Sequence, residues 1–160
     1  MVTLRCTQKL LQRMRSRAEK APPASTGKLG DWFANILFGR QQLIVCVSEK
    51  SLLPVVIPAK NAARFDQALL SALPDVLRGI GVNERAIETE IAHMTDAVVA
   101  TTNNRRVVGS MMDFCFMLGA HLEHGDTLLQ ASLRLAQAPC SPLGMERPSD
   151  VTLSLLSERH

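Results

Sequence analysis

The residue types that could do chemistry are densest from Thr102 to Phe114, which reads Thr-Asn-Asn-Arg-Arg-Val-Val-Gly-Ser-Met-Met-Asp-Phe. A helix starting at Thr102 or Asn103 places Arg105, Gly109 and Asp113 on one face at steps of four. Gly109 then lets a group approach the backbone between a cation and a carboxylate. A helix starting at Ser110 makes Ser110-x-x-Asp113 close to a capping box instead. In both frames, arginines and free backbone N–H groups, with Asn104 beside them, gather at a helix start. That environment suits an anion such as phosphate or carboxylate. The plainer outcome is that Asp113 pairs with Arg105 or Arg5, or caps its own helix, because structural ion pairs produce the same clusters.

Gly30-Asp31-Trp32 is a second candidate. Trp32 is the only tryptophan and there is no tyrosine. Beside Asp31 it could line a pocket, but a packed core position is the commoner fate, with Asp31 in a turn or an ion pair. The histidines are His93, His121, His124 and His160. His121 and His124 are three apart on a predicted helix, yet no third ligand takes a diagnostic place and H-E-x-x-H is absent, so neither a metal nor a cofactor is expected. G-x-S-x-G, P-loop and Rossmann patterns are also absent. Cys6, Cys46, Cys115 and Cys140 are scattered without a C-x-x-C pair, which predicts reduced and mostly buried thiols. Five phenylalanines and one tryptophan leave few platforms for base stacking.

The elements that must position these residues follow from periodicity. Val2 to Cys6 alternates as a strand, and Thr7 is a plausible cap for a helix over Gln8–Arg15. Ala21–Gly30 reads as a loop. Trp32–Phe38 and Leu43–Val47 form a predicted hairpin. Val55–Ile57, bracketed by Pro54 and Pro58, is a short edge strand. Phe65, Leu69, Leu73 and Val76 mark a helix from about Asn61 to Arg78, with Pro74 late in it and Gly79 and Gly81 stopping it. Asn83 caps a second, with Val82, Ala86, Ile87, Ile91 and Met94 as its apolar face. Ala97–Thr101 is a strand, Val107–Leu122 a central buried helix, and Asp126 the cap of a helix to Gln137. A terminal helix runs from Ser149 or Asp150 to about Glu158. The expected class is α+β: a mainly antiparallel sheet of about five strands with four or five helices packed on one face, and no βαβ alternation.

The chain of 160 residues, 46% hydrophobic and 21% charged with a net charge of +3, fits a single domain. Residues 139–160, interrupted by prolines, form a less regular C-terminal extension. Arg5, Lys9, Arg13, Arg15, Arg17 and Lys20 crowd the start; a solvated helix face is the simpler reading, and nucleic acid is only a weakly supported partner. No apolar run reaches membrane-spanning length and no signal-peptide pattern opens the chain, so a cytoplasmic protein with no membrane partner is expected. High apolar content with few aromatics makes a homo-oligomer a further expectation, with the last helix and tail covering a partner.

Four stretches resemble an uncharacterised bacterial family catalogued only as a domain of unknown function. They are Arg5-Cys6-Thr7 with Lys9-Leu10-Leu11, Leu29-Gly30-Asp31-Trp32 with Ala34-Asn35, Leu53-Pro54-Val55-Val56 with Pro58-Ala59, and Thr102 to Phe114. The last carries the pattern Thr-x-Asn-Arg-x-Val-x-Gly-Ser-Met-x-Asp-Phe. Family members have serine in place of Arg106 and asparagine in place of Met112. The resemblance brings no activity or cofactor; it implies that Arg5, Asp31, Asn104, Arg105, Ser110 and Asp113 are the positions to test. Two functions follow as expectations. One is a non-catalytic binding or regulatory module for an anionic ligand, a nucleic acid or a protein partner. The alternative is a small enzyme on a phosphorylated or carboxylated substrate, with Arg105 as clamp and Asp113 as acid or base. The first is preferred because no nucleophile–base pair or metal set is evident.

Overall fold

A computed structural model describes residues 1–157. Val2–Cys6 (β1) turns Val2, Leu4 and Cys6 to one face and Thr3 and Arg5 to the other. Thr7 then accepts the Leu10 N–H on its hydroxyl and caps Gln8–Met14 (α1). Arg15, left-handed at φ 56°, ends that helix. Residues 16–31 carry the chain back to start Trp32–Leu37 (β2), which pairs with β1 in parallel. The hairpin to Leu43–Ser48 (β3) and the strand Pro54–Pro58 (β4) follow as predicted. A 3₁₀ turn at Ala62–Arg64 leads into Phe65–Ile80 (α2), then Glu84–Ala92 (α3), capped by Asn83. Ala97–Thr101 (β5) returns parallel to β1. Arg105–Glu123 (α4), Leu128–Leu135 (α5), a 3₁₀ turn at Ser141–Leu143 and Pro148–Ser157 (α6) complete the order. The expected end of the last helix near Glu158, and His160, lie outside the described residues.

The fold is α+β, with the sheet ordered β4-β3-β2-β1-β5. It is mixed rather than mainly antiparallel: β1 is parallel to both neighbours, while β2–β3 and β3–β4 are antiparallel. The long return after α1 reads as a loop by composition, but it is the crossover that a parallel pair needs. So β1–α1–β2 is one βαβ unit that the sequence reading missed.

The described residues hold six α-helices, not four or five, and they cover both faces of the sheet. On one face Leu4, Trp32, Ile36, Ile44 and Val55 pack with α1, α2, α3 and Leu156 of α6. On the other, Phe33, Val45, Val47 and Val56 pack with α4 and α5. This explains why β2 and β3 are nearly continuous apolar runs, the signature of strands buried on both sides.

Local corrections have local causes. Pro74 does not end α2, which continues to Ile80; Gly79 is helical and Gly81, at φ 102°, makes the left-handed stop. Gly79 is where α5 presses close, since a Cβ there would lie 2.8 Å from the Leu133 side chain. Thr127, not Asp126, caps α5, in a reciprocal box with Gln130. Asp126 instead sits 3.0 Å from Arg134 Nε as an ion pair. α4 begins at Arg105, a start that neither predicted frame gave, and it is not buried throughout, since only its Val107, Met111, Phe114 and Leu118 side is. No helix among the described residues is long and apolar enough to cross a membrane.

Both sheet edges are met by other parts of the chain. Glu19 bridges alongside β5, donating its N–H to the Val99 carbonyl at 2.8 Å. On β4, Pro54 and Pro58 have no N–H to offer, and the Val56 N–H between them is taken by the Ser132 hydroxyl of α5 at 3.0 Å. An unpaired edge is a template for aggregation, and this one is blunted three times in five residues. Ser132→Ala strands the buried Val56 N–H, so urea denaturation should show a loss of about 1–3 kcal/mol. An unchanged midpoint would mean that another group or water satisfies it.

Candidate functional site

Asn104 sets the start of α4. Its side-chain oxygen accepts the Arg106 N–H at 3.0 Å and the Val107 N–H at 3.3 Å. The first-turn donors expected to greet an anion are therefore largely occupied by the cap. What remains for a ligand is the pair of guanidinium groups. Arg105 and Arg106 line a groove of about 870 Å³ together with Gly109, Ser110, Asp113 and Phe116. Its opposite wall is Ala138–Met145, shaped by a turn in which the Cys140 N–H bonds the Glu146 carbonyl at 3.1 Å and Gly144 sits at φ 64°.

Asp113 pairs with neither Arg105 nor Arg5: among the described residues no ion pair involves Arg105, Arg106 or Asp113. Nor does Ser110 start a helix, since it lies inside α4. The Cys140 thiol, in the same groove, is pushed up by burial and then by the Asp113 carboxylate. Thiolate is the nucleophilic form, so both effects disfavour it at neutral pH.

Arg5 and Asp31 form a separate cluster. Arg5 Nε donates to Asp31 Oδ2 at 2.8 Å, and Arg5 Nη1 donates to the Thr101 carbonyl at 3.1 Å. Ser25 donates to Asp31 Oδ1 at 2.6 Å. The Glu49 carboxylate accepts the Asp31 N–H at 3.2 Å, while the Glu49 N–H donates to the Asp31 carbonyl at 2.8 Å. The side chains of Arg5 and Asp31 are only 14% and 12% exposed. They edge a shallow cavity of about 420 Å³ shared with Pro23, Lys50 and Asn103. Trp32 lies on the other sheet face, fully buried, and its indole N–H has no partner among the described residues. The seven sequence candidates thus divide into a groove, an ion-pair cluster, a helix cap and a core residue.

Sequence reasoning missed Glu90. It is 2% exposed, and its carboxylate accepts the Lys28 N–H at 2.8 Å and the Leu29 N–H at 3.2 Å. The signal was present, because Glu90 sits in the apolar stripe of α3 between Ile87 and Met94. Gly27 makes room for it: a Cβ there would lie 2.4 Å from Glu90 Oε2. Asn35 entered the sequence reading only as part of a stretch that carries the resemblance. Buried at 2%, it accepts the Thr7 hydroxyl proton at 2.7 Å and reaches toward Met112 of α4. Among the described residues no group of three or more potential metal ligands comes together.

Two outcomes test this geometry. Asp31→Ala leaves the Arg5 charge nearly buried and without a carboxylate, so denaturant unfolding should register a loss of about 3–5 kcal/mol. Asp113→Ala removes an unpaired surface group and should stay within about 0.5 kcal/mol; equal losses in the two variants would refute the division. All four cysteines are free, and burial raises Cys115 to about 11 and Cys6 to about 12. In native protein at pH 8, iodoacetamide should therefore label Cys115 on the order of 100-fold more slowly than an unperturbed thiol of pKa about 8.5. Labelling at the rate of a free thiol would contradict the burial.

No curated protein and no solved structure matches this chain. A family model described as a domain of unknown function, DUF6933, does match, over residues 3–151, and the chain belongs to that family, as its resemblance implied.

Proposed function

We propose that this chain is a non-catalytic binding module of the cytoplasm that holds an anionic group, carried on an apolar body, in the groove between α4 and Ala138–Met145. The observation that supports this is the pair Arg105 and Arg106, two cations without a carboxylate partner among the described residues, in a groove whose walls also carry Phe116, Met117, Pro139, Pro142 and Met145. A few polar groups in a mostly apolar cleft is the ordinary build of a ligand site. Asp113 lies two helical turns along from Arg105, roughly 12 Å at the α-helical rise. The ligand that fits presents its anion to the arginines and a hydrogen-bond donor toward Asp113. The raised Cys140 thiol favours binding over thiol catalysis in the same groove.

Phenyl phosphate and inorganic phosphate are suitable probes, measured by calorimetry and thermal shift. The aromatic ester should bind more tightly than the inorganic ion, and Arg106→Glu should weaken it by about tenfold or more, with binding that also falls as salt rises. Equal affinity in Arg106→Glu and the parent protein would overturn the assignment of the site.

A further inference from the structure

The outward face of α4 carries a pattern of which the groove uses only part: Arg105, Gly109 and Phe116 line it, while Met112, Gly119 and Glu123 do not. Arg105, Gly109, Met112, Phe116, Gly119 and Glu123 succeed one another at steps of four, three, four, three and four, and all six are exposed. That is the spacing of a coiled-coil seam. It lies opposite the buried stripe of Val107, Met111, Phe114 and Leu118. The far side of a surface helix is ordinarily polar, yet here Phe116 is 88% exposed and Met112 46%.

The two glycines sharpen the point. A Cβ at Gly109 or Gly119 would meet nothing within 4 Å. The fold of one copy therefore does not require glycine at either place, and glycine inside a helix is less favourable than alanine. What glycine does allow is close approach of another backbone.

The order of types along the seam is self-complementary when read in reverse. In antiparallel pairing about a centre between Met112 and Phe116, Arg105 faces the partner's Glu123, Gly109 faces the partner's Gly119, and Met112 faces the partner's Phe116. Parallel pairing would set arginine against arginine and glutamate against glutamate, and would align the helix dipoles. A two-fold axis needs one surface that complements itself, and this seam does so in charge, size and apolarity together.

We propose that α4 docks antiparallel on α4 of a second copy of this chain, with Phe116 and Met112 as the apolar centre, the glycines as the points of close approach, and Arg105–Glu123 pairs at both ends. This surface adjoins the groove and shares Arg105, Gly109 and Phe116 with it, while the groove's Ser110, Asp113 and Met117 lie to one side of the seam. Pairing of Arg105 with the partner's Glu123 leaves Arg106 as the cation for a groove ligand, and Gly119, a seam position outside the groove lining, is where the two proposals are tested apart.

Sedimentation equilibrium of the full chain over about 1–200 μM, a range that brackets ordinary dimer affinities, tests the docking. The wild type should form a dimer. Gly109→Leu and Phe116→Asp should each weaken it by about tenfold or more, while circular dichroism shows both variants folded; open space around Gly109 makes the leucine harmless to one copy. Arg105→Glu should weaken the dimer, and the double variant Arg105→Glu with Glu123→Arg should restore it. A wild-type monomer at about 200 μM, or a dimer indifferent to Gly109→Leu, would overturn the proposal, and failure of the double reversal to restore association would overturn the antiparallel register. Gly119→Leu, outside the groove lining and with open space around it, should also yield a folded monomer, and its phenyl phosphate binding reports on the groove independently.

Discussion

The ion pair between Arg5 and Asp31 is the constraint around which the sheet is assembled. Arg5 projects from β1, the middle strand of the sheet's parallel part, with its side chain only 14% exposed. A guanidinium held there with little water must find acceptors, because an uncompensated charge at such a place costs several kcal/mol. It finds two, from opposite directions: the carboxylate of Asp31, just ahead of β2, and the carbonyl of Thr101 at the end of β5. One side chain therefore ties β1 to the ends of both its parallel neighbours. Those are the pairings that no tight turn enforces, since parallel strands are joined only through crossovers.

The return segment is held by carboxylates rather than by a core of its own. Glu90 reaches from α3 to take the N–H groups of Lys28 and Leu29, and Glu49 takes that of Asp31. Gly27 and Gly30 are small because those carboxylates press against them; at Gly30 a φ of 77° adds a conformational reason. A loop that would be mobile by composition is thereby fixed at its own backbone donors. Backbone groups that cannot join a ladder must be satisfied in some other way, and two acids from distant parts of the chain, Glu90 buried and Glu49 partly so, do so here.

The same economy explains why α4 is free to serve function. Its inner side closes the second core against β2 and β3, and its start is satisfied by Asn104. Nothing in the fold then depends on Arg105, Arg106, Asp113 or Phe116. Residues with no structural duty, gathered on one helix and set beside a groove, are the natural material of a binding surface. Arg5 and Asp31, read from sequence as equal candidates, are occupied in holding the sheet together.

Much of the local structure was legible because its causes lie within a few residues. Thr7 and Asn83 cap the helices that follow them, the prolines frame the edge strand, and the five strands fall where alternation and β-branched runs put them. That Arg105, Gly109 and Asp113 share one helix was also partly visible, through their spacing at steps of four. The rest was decided by contacts across the chain. Periodicity says that β2 and β3 are apolar, but not that helices cover both sides of them. It says nothing of whether a strand meets its neighbour head to head or head to tail, because that is settled by the path of residues 16–31 and by the partners Arg5 finds. The sequence offered Thr102, Asn103 or Ser110 as the start of α4, and the structure caps it with Asn104, in the frame that packs Val107 and Met111 into the second core. By itself the sequence determined which residues wished to be buried, capped or charged; the tertiary structure decided which charges were spent on one another and which were left facing outward.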